Sequence, residues 1–114
     1  MTSEEVLNGI VSQLNSNEKV KTELKGWNKV LQFDVKDVGK YYLTFSNDGT
    51  GTVSSGVHSS PNVTLSTDDQ SMTDILTGKL DGVRAAFMGK LKINGDIFSA
   101  QKMVSILEKL RKTA

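Results

Sequence analysis

Very few side chains in this sequence could carry covalent chemistry. His58 is the single histidine, it stands in a Ser/Gly segment over 54–61, and none of the 114 residues is a cysteine. A Ser-His-Asp relay would have to use an exposed loop base, and thiol nucleophiles, thiolate metal sites and disulfides are excluded together. Metal ligation asks for three or four grouped ligands. Neither His58 nor the scattered aspartates supply them, and Asp68, Asp69 and Asp74 read as capping and first-turn residues of a helix. Gly49-x-Gly51 leads into a strand rather than a helix, so it cannot cradle a dinucleotide phosphate. Lys79 and Lys90 each follow a glycine without the rest of a P-loop. The residues support no active site and call for no cofactor.

What the sequence does hold is a quantity of flexible apolar side chains in its last third. Met72, Met88 and Met103, with Phe87 and Phe98, lie among Ile75, Leu76, Leu80, Ile97 and Leu107. Methionine adapts to irregular volumes and tolerates varied neighbours. Ordinary core packing accounts for such a stripe by itself. The final helix, however, has an apolar face wider than one seam. It could pack flat on a sheet, or arch over it and leave a tunnel.

The elements that would position these residues alternate in period. Thr2 with Glu5 makes a capping box, followed by Val6, Leu7, Ile10, Val11 and Leu14 on one helical stripe. A short helical piece over 17–24 follows and ends at Gly26. The period then becomes two: Leu31, Phe33 and Val35, then Tyr41, Leu43 and Phe45, with Asn47-Asp48-Gly49 turning into a strand around 52–54. A fourth strand carries Val63 and Leu65. Thr67 reads as the N-cap of a helix whose apolar face is Met72, Ile75 and Leu76, stopped by Gly78. Asp81 caps a short helix bearing Val83, Ala86 and Phe87, and Gly89 returns the chain to a strand with Leu91 and Ile93 inward. Asp96 opens the last helix, with Ile97, Ala100, Met103, Val104, Leu107 and Leu110 at threes and fours. No repeat or linker divides residues 1–114, so one α+β domain is expected, with helices on one face of a mainly antiparallel sheet.

Composition agrees with a globular chain, at 37% apolar and 24% charged residues with net charge +1. No apolar run approaches the length of a membrane span, and residues 1–15 do not read as a secretory signal. The start at Met1 sets the expectation of a chain that is whole in itself. Residues 41–89 hold five Asp against Lys79 and Arg84, whereas 90–112 hold six Lys or Arg against Asp96 and Glu108. The late cations lack interleaved aromatics, so nucleic acid is not the expected partner. A solvated face and a transient contact with anionic membranes both remain open.

One stretch is specific. Thr77-Gly78-Lys79, then Ala85-Ala86-Phe87-Met88-Gly89-Lys90-Leu91-Lys92-Ile93-Asn94-Gly95-Asp96, resembles the signature of the sterol carrier protein 2 family of non-specific lipid-transfer proteins, and the match covers essentially 5–110. The resemblance implies a five-stranded sheet with helices on one side, a hydrophobic tunnel between them, and non-catalytic binding and transport of fatty acids, fatty acyl-CoA, sterols and phospholipids. On that reading Phe33, Leu43, Ile75, Leu76, Phe87, Met88, Ile97, Ala100, Met103 and Leu107 are expected at the lipid. Lys19, Lys21 or Lys25 could meet a carboxylate or phosphate at a mouth, the alternative being a solvated lysine face. Many family members end in a peroxisomal address, whereas this chain ends Lys112-Thr113-Ala114. Peroxisome is expected from the resemblance, cytoplasm from these letters. An accessory domain that presents lipid to a partner enzyme, or an interaction module, is the rival reading.

Overall fold

The capping box forms as the sequence predicts. In the computed structural model, which describes residues 1–113 and the side chains of 1–112, Thr2 caps helix α1 (Ser3–Asn15). Its hydroxyl accepts from the Glu5 amide at 3.3 Å, and its own amide donates to Glu5 Oε1 at 2.9 Å. Asn17 caps α2 (Glu18–Leu24) by its side-chain oxygen alone, which accepts from the Val20 amide at 3.2 Å. The carboxy-terminal letters on which compartment was read fall partly outside the described residues.

Five strands follow: β1 (Val30–Val35), β2 (Gly39–Phe45), β3 (Gly51–Ser55), β4 (Val63–Thr67) and, much later, β5 (Lys92–Gly95). They order as β3-β2-β1-β4-β5, antiparallel throughout except for the parallel β1–β4 pair. Alternation decides the faces. Leu31, Phe33, Val35, Tyr41, Leu43, Phe45, Val63 and Leu65 are buried on the inner face, where the helices pack. The Phe33 and Tyr41 rings stack there at 5.1 Å. Gln32, Tyr42 and Thr64 point to the other side.

That outer side is not simply wet. To pass from edge strand β3 to β4, the chain must cross β2 and β1, and the 56–62 connection does so over Gln32. The Gln32 amide donates to the carbonyls of Tyr41 and Gly56 at 3.1 Å, and its oxygen accepts from the His58 amide at 2.9 Å. The His58 ring meets Tyr42 edge-on at 5.2 Å, and its Nδ1 accepts from the Ser60 amide. His58, expected in an exposed loop, is thus held as part of a cover, because a buried amide beneath needs partners. Asn62 closes the crossing by exchanging two hydrogen bonds with the Val30 backbone.

The remaining helices are α3 (Asp69–Thr77), α4 (Gly82–Phe87) and α5 (Ile97–Thr113). Asp68, not Thr67, is the N-cap of α3, accepting from the Ser71 amide at 2.8 Å. Thr67 still belongs to β4, where its buried hydroxyl donates to the Lys90 carbonyl at 2.7 Å. The expected apolar face of α4 is also corrected. Gly82 and Ala85 are its buried residues, while Val83 and Phe87 face outward. Small residues let this six-residue helix lie close against its neighbours. At the far edge, Asn15 of α1 bonds Gly51 of β3 in both directions, Nδ2 to the carbonyl at 3.0 Å and Oδ1 from the amide at 2.9 Å.

Candidate functional site: an apolar cavity between sheet and helices

A cavity of about 320 Å³ lies between the inner sheet face and the later helices. Its floor is the strand row Phe33, Leu65 and Ile93, which are direct neighbours across β1, β4 and β5. Helix α3 supplies Met72, Ile75 and Leu76. Helix α5 supplies Ile97, Ala100, Met103, Val104 and Leu107, all on the face that period 3.6 turns toward the sheet. Val83, Ala86 and Phe87 of α4 border the remaining side, where Val83 and Phe87 are exposed to solvent. Among the described residues, Gln101 is the one side chain on this lining with a nitrogen or oxygen group, and no titratable group borders the cavity.

Eight of the ten residues expected at the lipid border this space: Phe33, Ile75, Leu76, Phe87, Ile97, Ala100, Met103 and Leu107. Leu43 and Met88 do not. Leu43 is completely buried and belongs to the next strand row, Val53-Leu43-Leu31-Val63. Met88 stands just past α4 and is more than half exposed. Leu65, Met72, Leu91, Ile93 and Val104 were legible as core positions but not as cavity lining. Strand order makes the difference for Leu65 and Ile93, since only a sheet with β4 and β5 beside β1 puts them in the Phe33 row.

A smaller hollow of about 160 Å³ shares Ile75, Gly82, Val104 and Leu107 with the main cavity and ends among Asp81, Glu108 and Arg111. The lysines considered for a head group lie elsewhere. Lys19 borders a separate depression beside Ser12, Asn17 and Leu110, and Lys21 and Lys25 border none of these spaces.

Two motif glycines set the frame. Gly78 ends α3 in the left-handed region, φ 84°, and a Cβ there would sit 2.8 Å from Arg111 Cζ of α5. Gly95, φ 105°, brings β5 so close to β4 that a Cβ would lie 2.5 Å from the Asn62 carbonyl oxygen. Gly95 therefore fixes how closely β5 approaches β4, the strands whose Ile93 and Leu65 floor the cavity, whereas Gly78 faces the movable end of a side chain.

An apolar space without a base, nucleophile or metal cluster among the described residues can exclude water from a hydrocarbon chain. It offers no charge to a reacting centre.

Comparison with known proteins gives this geometry a lineage. A family model, the SCP-2 sterol transfer family, matches residues 7–108. Over 62 residues, 54% of this chain, the sequence is 39% identical to peroxisomal multifunctional enzyme A of Dictyostelium discoideum, of whose length it covers 14%. Two solved structures share the fold over nearly their whole length. UbiJ-SCP2, a ubiquinone synthesis protein, superposes with a TM-score of 0.77 at 18% identity, covering 95% of this chain and 94% of that one. Palmitated SCP2L2 from Aedes aegypti superposes with a TM-score of 0.71 at 22% identity, covering 94% and 95%. With its matched region running almost from end to end, the chain belongs to the SCP-2 sterol transfer family.

Proposed function

We propose that this protein is a non-catalytic carrier that takes the apolar part of a lipid into the cavity between its sheet and helices α3, α4 and α5. The observation that carries the reading is the lining itself: about 320 Å³ bounded almost entirely by hydrocarbon and thioether groups. That volume stands at the small end of ligand sites, about 300–1,000 Å³. Burying a tail of about ten methylenes at about 0.8 kcal/mol each supplies about 8 kcal/mol, near micromolar affinity, before any head-group contact. Such burial is non-directional, so fatty acids, fatty acyl-CoA, sterols and phospholipids compete for the same space. The palmitated relative supports the acyl chain as cargo. Transient contact with anionic membranes belongs to this reading, since the cargo is insoluble. The peroxisome is its compartment, supported by the peroxisomal relative.

A second reading has its own observation. The relative is a multifunctional enzyme of which this chain spans 14%, so a domain of this kind can act as an accessory that presents lipid to a catalytic partner. Native mass spectrometry of freshly purified protein, followed by displacement of a fluorescent fatty acid, tests the carrier reading. An added mass of one acyl chain and saturable displacement by several unrelated lipids are expected. No saturable binding up to concentrations on the order of tens of micromolar would sink it. Binding that appears only with an enzyme partner would favour the accessory role.

A further inference from the structure

A second hollow of about 320 Å³, the same size as the main cavity, adjoins it between α1, α3 and α5. Val6 and Ile10 of α1 and Leu110 of α5 line it, and Leu76 and Leu107 border both spaces. One layer of side chains therefore separates the two. That layer lies on a weak seam, since α3 packs more extensively against α1 than against α5. Val6 and Ile10 belong by spacing to the core-facing stripe of α1, yet beside this hollow they are only half-buried.

The second hollow differs from the first in its polar groups. Among the described residues, Gln13, Thr77 and Arg111 carry them, and Arg111 is the one charged side chain on this lining. Thr77 Oγ1 is already engaged, donating to the Thr73 carbonyl at 2.8 Å. The Gln13 carboxamide and the Arg111 guanidinium have no hydrogen-bond or ion-pair partner among the described residues. On its other side Arg111 borders the smaller hollow with Asp81 and Glu108. Asp81 is committed to α4, accepting from the Val83 and Arg84 amides at 2.9 and 3.3 Å. A guanidinium left unmatched at an apolar hollow suits an ionised oxygen group, which it can grip with two parallel bonds.

We propose that this second hollow receives the ionised head, a carboxylate or phosphate, of a lipid whose tail lies in the main cavity. Arg111 is its counter-charge and Gln13 a hydrogen-bond donor. The chain crosses the layer of Leu76 and Leu107, which yields by rotation of those two side chains. An apolar protein segment laid over the hollow would instead bury the guanidinium without a counter-charge. The inference rests on the carrier reading and adds to it the direction in which the lipid lies and a preference for acids.

Competition against a neutral fluorescent fatty alcohol tests it, with hexadecanoate and hexadecanol as ligands of one tail length. Wild type should bind hexadecanoate about tenfold more tightly, and the advantage should shrink at about 1 M salt. Arg111→Gln should remove the advantage and keep the wild-type affinity for hexadecanol, which also shows that the variant is folded. Gln13→Glu is isosteric at an exposed position. It should weaken hexadecanoate about threefold or more and spare hexadecanol. Acetate should displace neither ligand. Equal affinity of wild type for the two ligands, an undiminished preference in Arg111→Gln, or displacement of hexadecanoate by acetate would each overturn the head-group site. Should Arg111→Gln lose both ligands, Gln13→Glu decides, and an undiminished preference there overturns the site. Failure of wild type to bind either ligand would overturn the carrier reading instead.

Discussion

The Tyr41 hydroxyl on β2 donates a 2.7 Å hydrogen bond to Ser3 Oγ at the start of α1. Ser3 Oγ in turn donates to Asp69 Oδ1 at 2.6 Å, and the Ser3 amide donates to the same oxygen at 2.9 Å. The first turn of α1, the first turn of α3 and the inner sheet face are thereby tied at one buried point. Burial pushes the Tyr41 phenol from its usual 10.0 up to about 12, opposed by the Ser3 bond.

Stability should therefore fall in alkali in a particular window. The unfolded phenol ionises near 10 while the folded one resists, so the contribution is complete below pH 10 and is lost as pH rises toward about 12. Urea unfolding across that range should show a loss on the order of 2 kcal/mol, reduced in Tyr41→Phe. At neutral pH, Tyr41→Phe should cost about 0.5–1.5 kcal/mol and Ser3→Ala more, since Ser3→Ala leaves a buried phenol without its partner. An alkaline loss of the same size in Tyr41→Phe would refute the assignment.

Met103 separates cavity from core. It is almost wholly shielded from solvent yet borders the cavity, so part of its surface faces empty space in the lipid-free protein. Met103→Ala should cost the stripped protein under about 2 kcal/mol and weaken lipid binding. Leu43→Ala, in the packed row, should cost about 2–5 kcal/mol with or without lipid. Met103→Trp should fold and exclude lipid. Unfolding of the stripped protein by Met103→Trp would mean that Met103 is ordinary core.

The two motif glycines should rank differently. Gly95→Ala drives a Cβ against a backbone carbonyl, which cannot swing away, and should disrupt β4–β5 pairing. Gly78→Ala meets only the mobile end of Arg111, so its cost should be near the left-handed penalty, about 1–2 kcal/mol. Chemical denaturation of both variants checks the order, and a reversed order would contradict the geometry.

His58→Ala should leave lipid affinity and transfer unchanged. The imidazole lies over the outer sheet face on Tyr42, across the sheet from Phe33, and the bond to Gln32 comes from the His58 backbone. A small loss of stability from the missing edge contact, about 0.5–1.5 kcal/mol, is expected in thermal melts. A transfer defect exceeding that loss would reopen the question of catalysis.

Local signals carried most of the fold. Thr2 with Glu5, the alternation through Leu31–Val35 and Tyr41–Phe45, and the threes and fours of Ala100, Met103 and Leu107 each express a period that burial enforces. Non-local facts were not legible in this way. Nothing near Gln32 announces that the 56–62 segment will cross above it, and nothing near Leu43 separates its strand row from that of Phe33. Phe87 shows the limit most clearly. Its type says interior, but Gly82 and Ala85 already fill the inward face of a helix too short to have two. Its apolarity was readable and its exposure was not.

The double bond between Asn15 and Gly51 has a consequence for behaviour in crowded solution. A sheet edge is a template for another chain, and β3 is one of the two edges here. The Asn15 carboxamide gives and takes at Gly51 the same pair of bonds that an arriving strand would need. At the opposite edge, β5 is only four residues long and carries Lys92. Both borders are thus closed to recruitment, one by an imitation peptide group and the other by brevity and charge. Asn15→Leu should make the protein scatter light progressively at high concentration, and a solution that stays clear would show that the edge is guarded by something else.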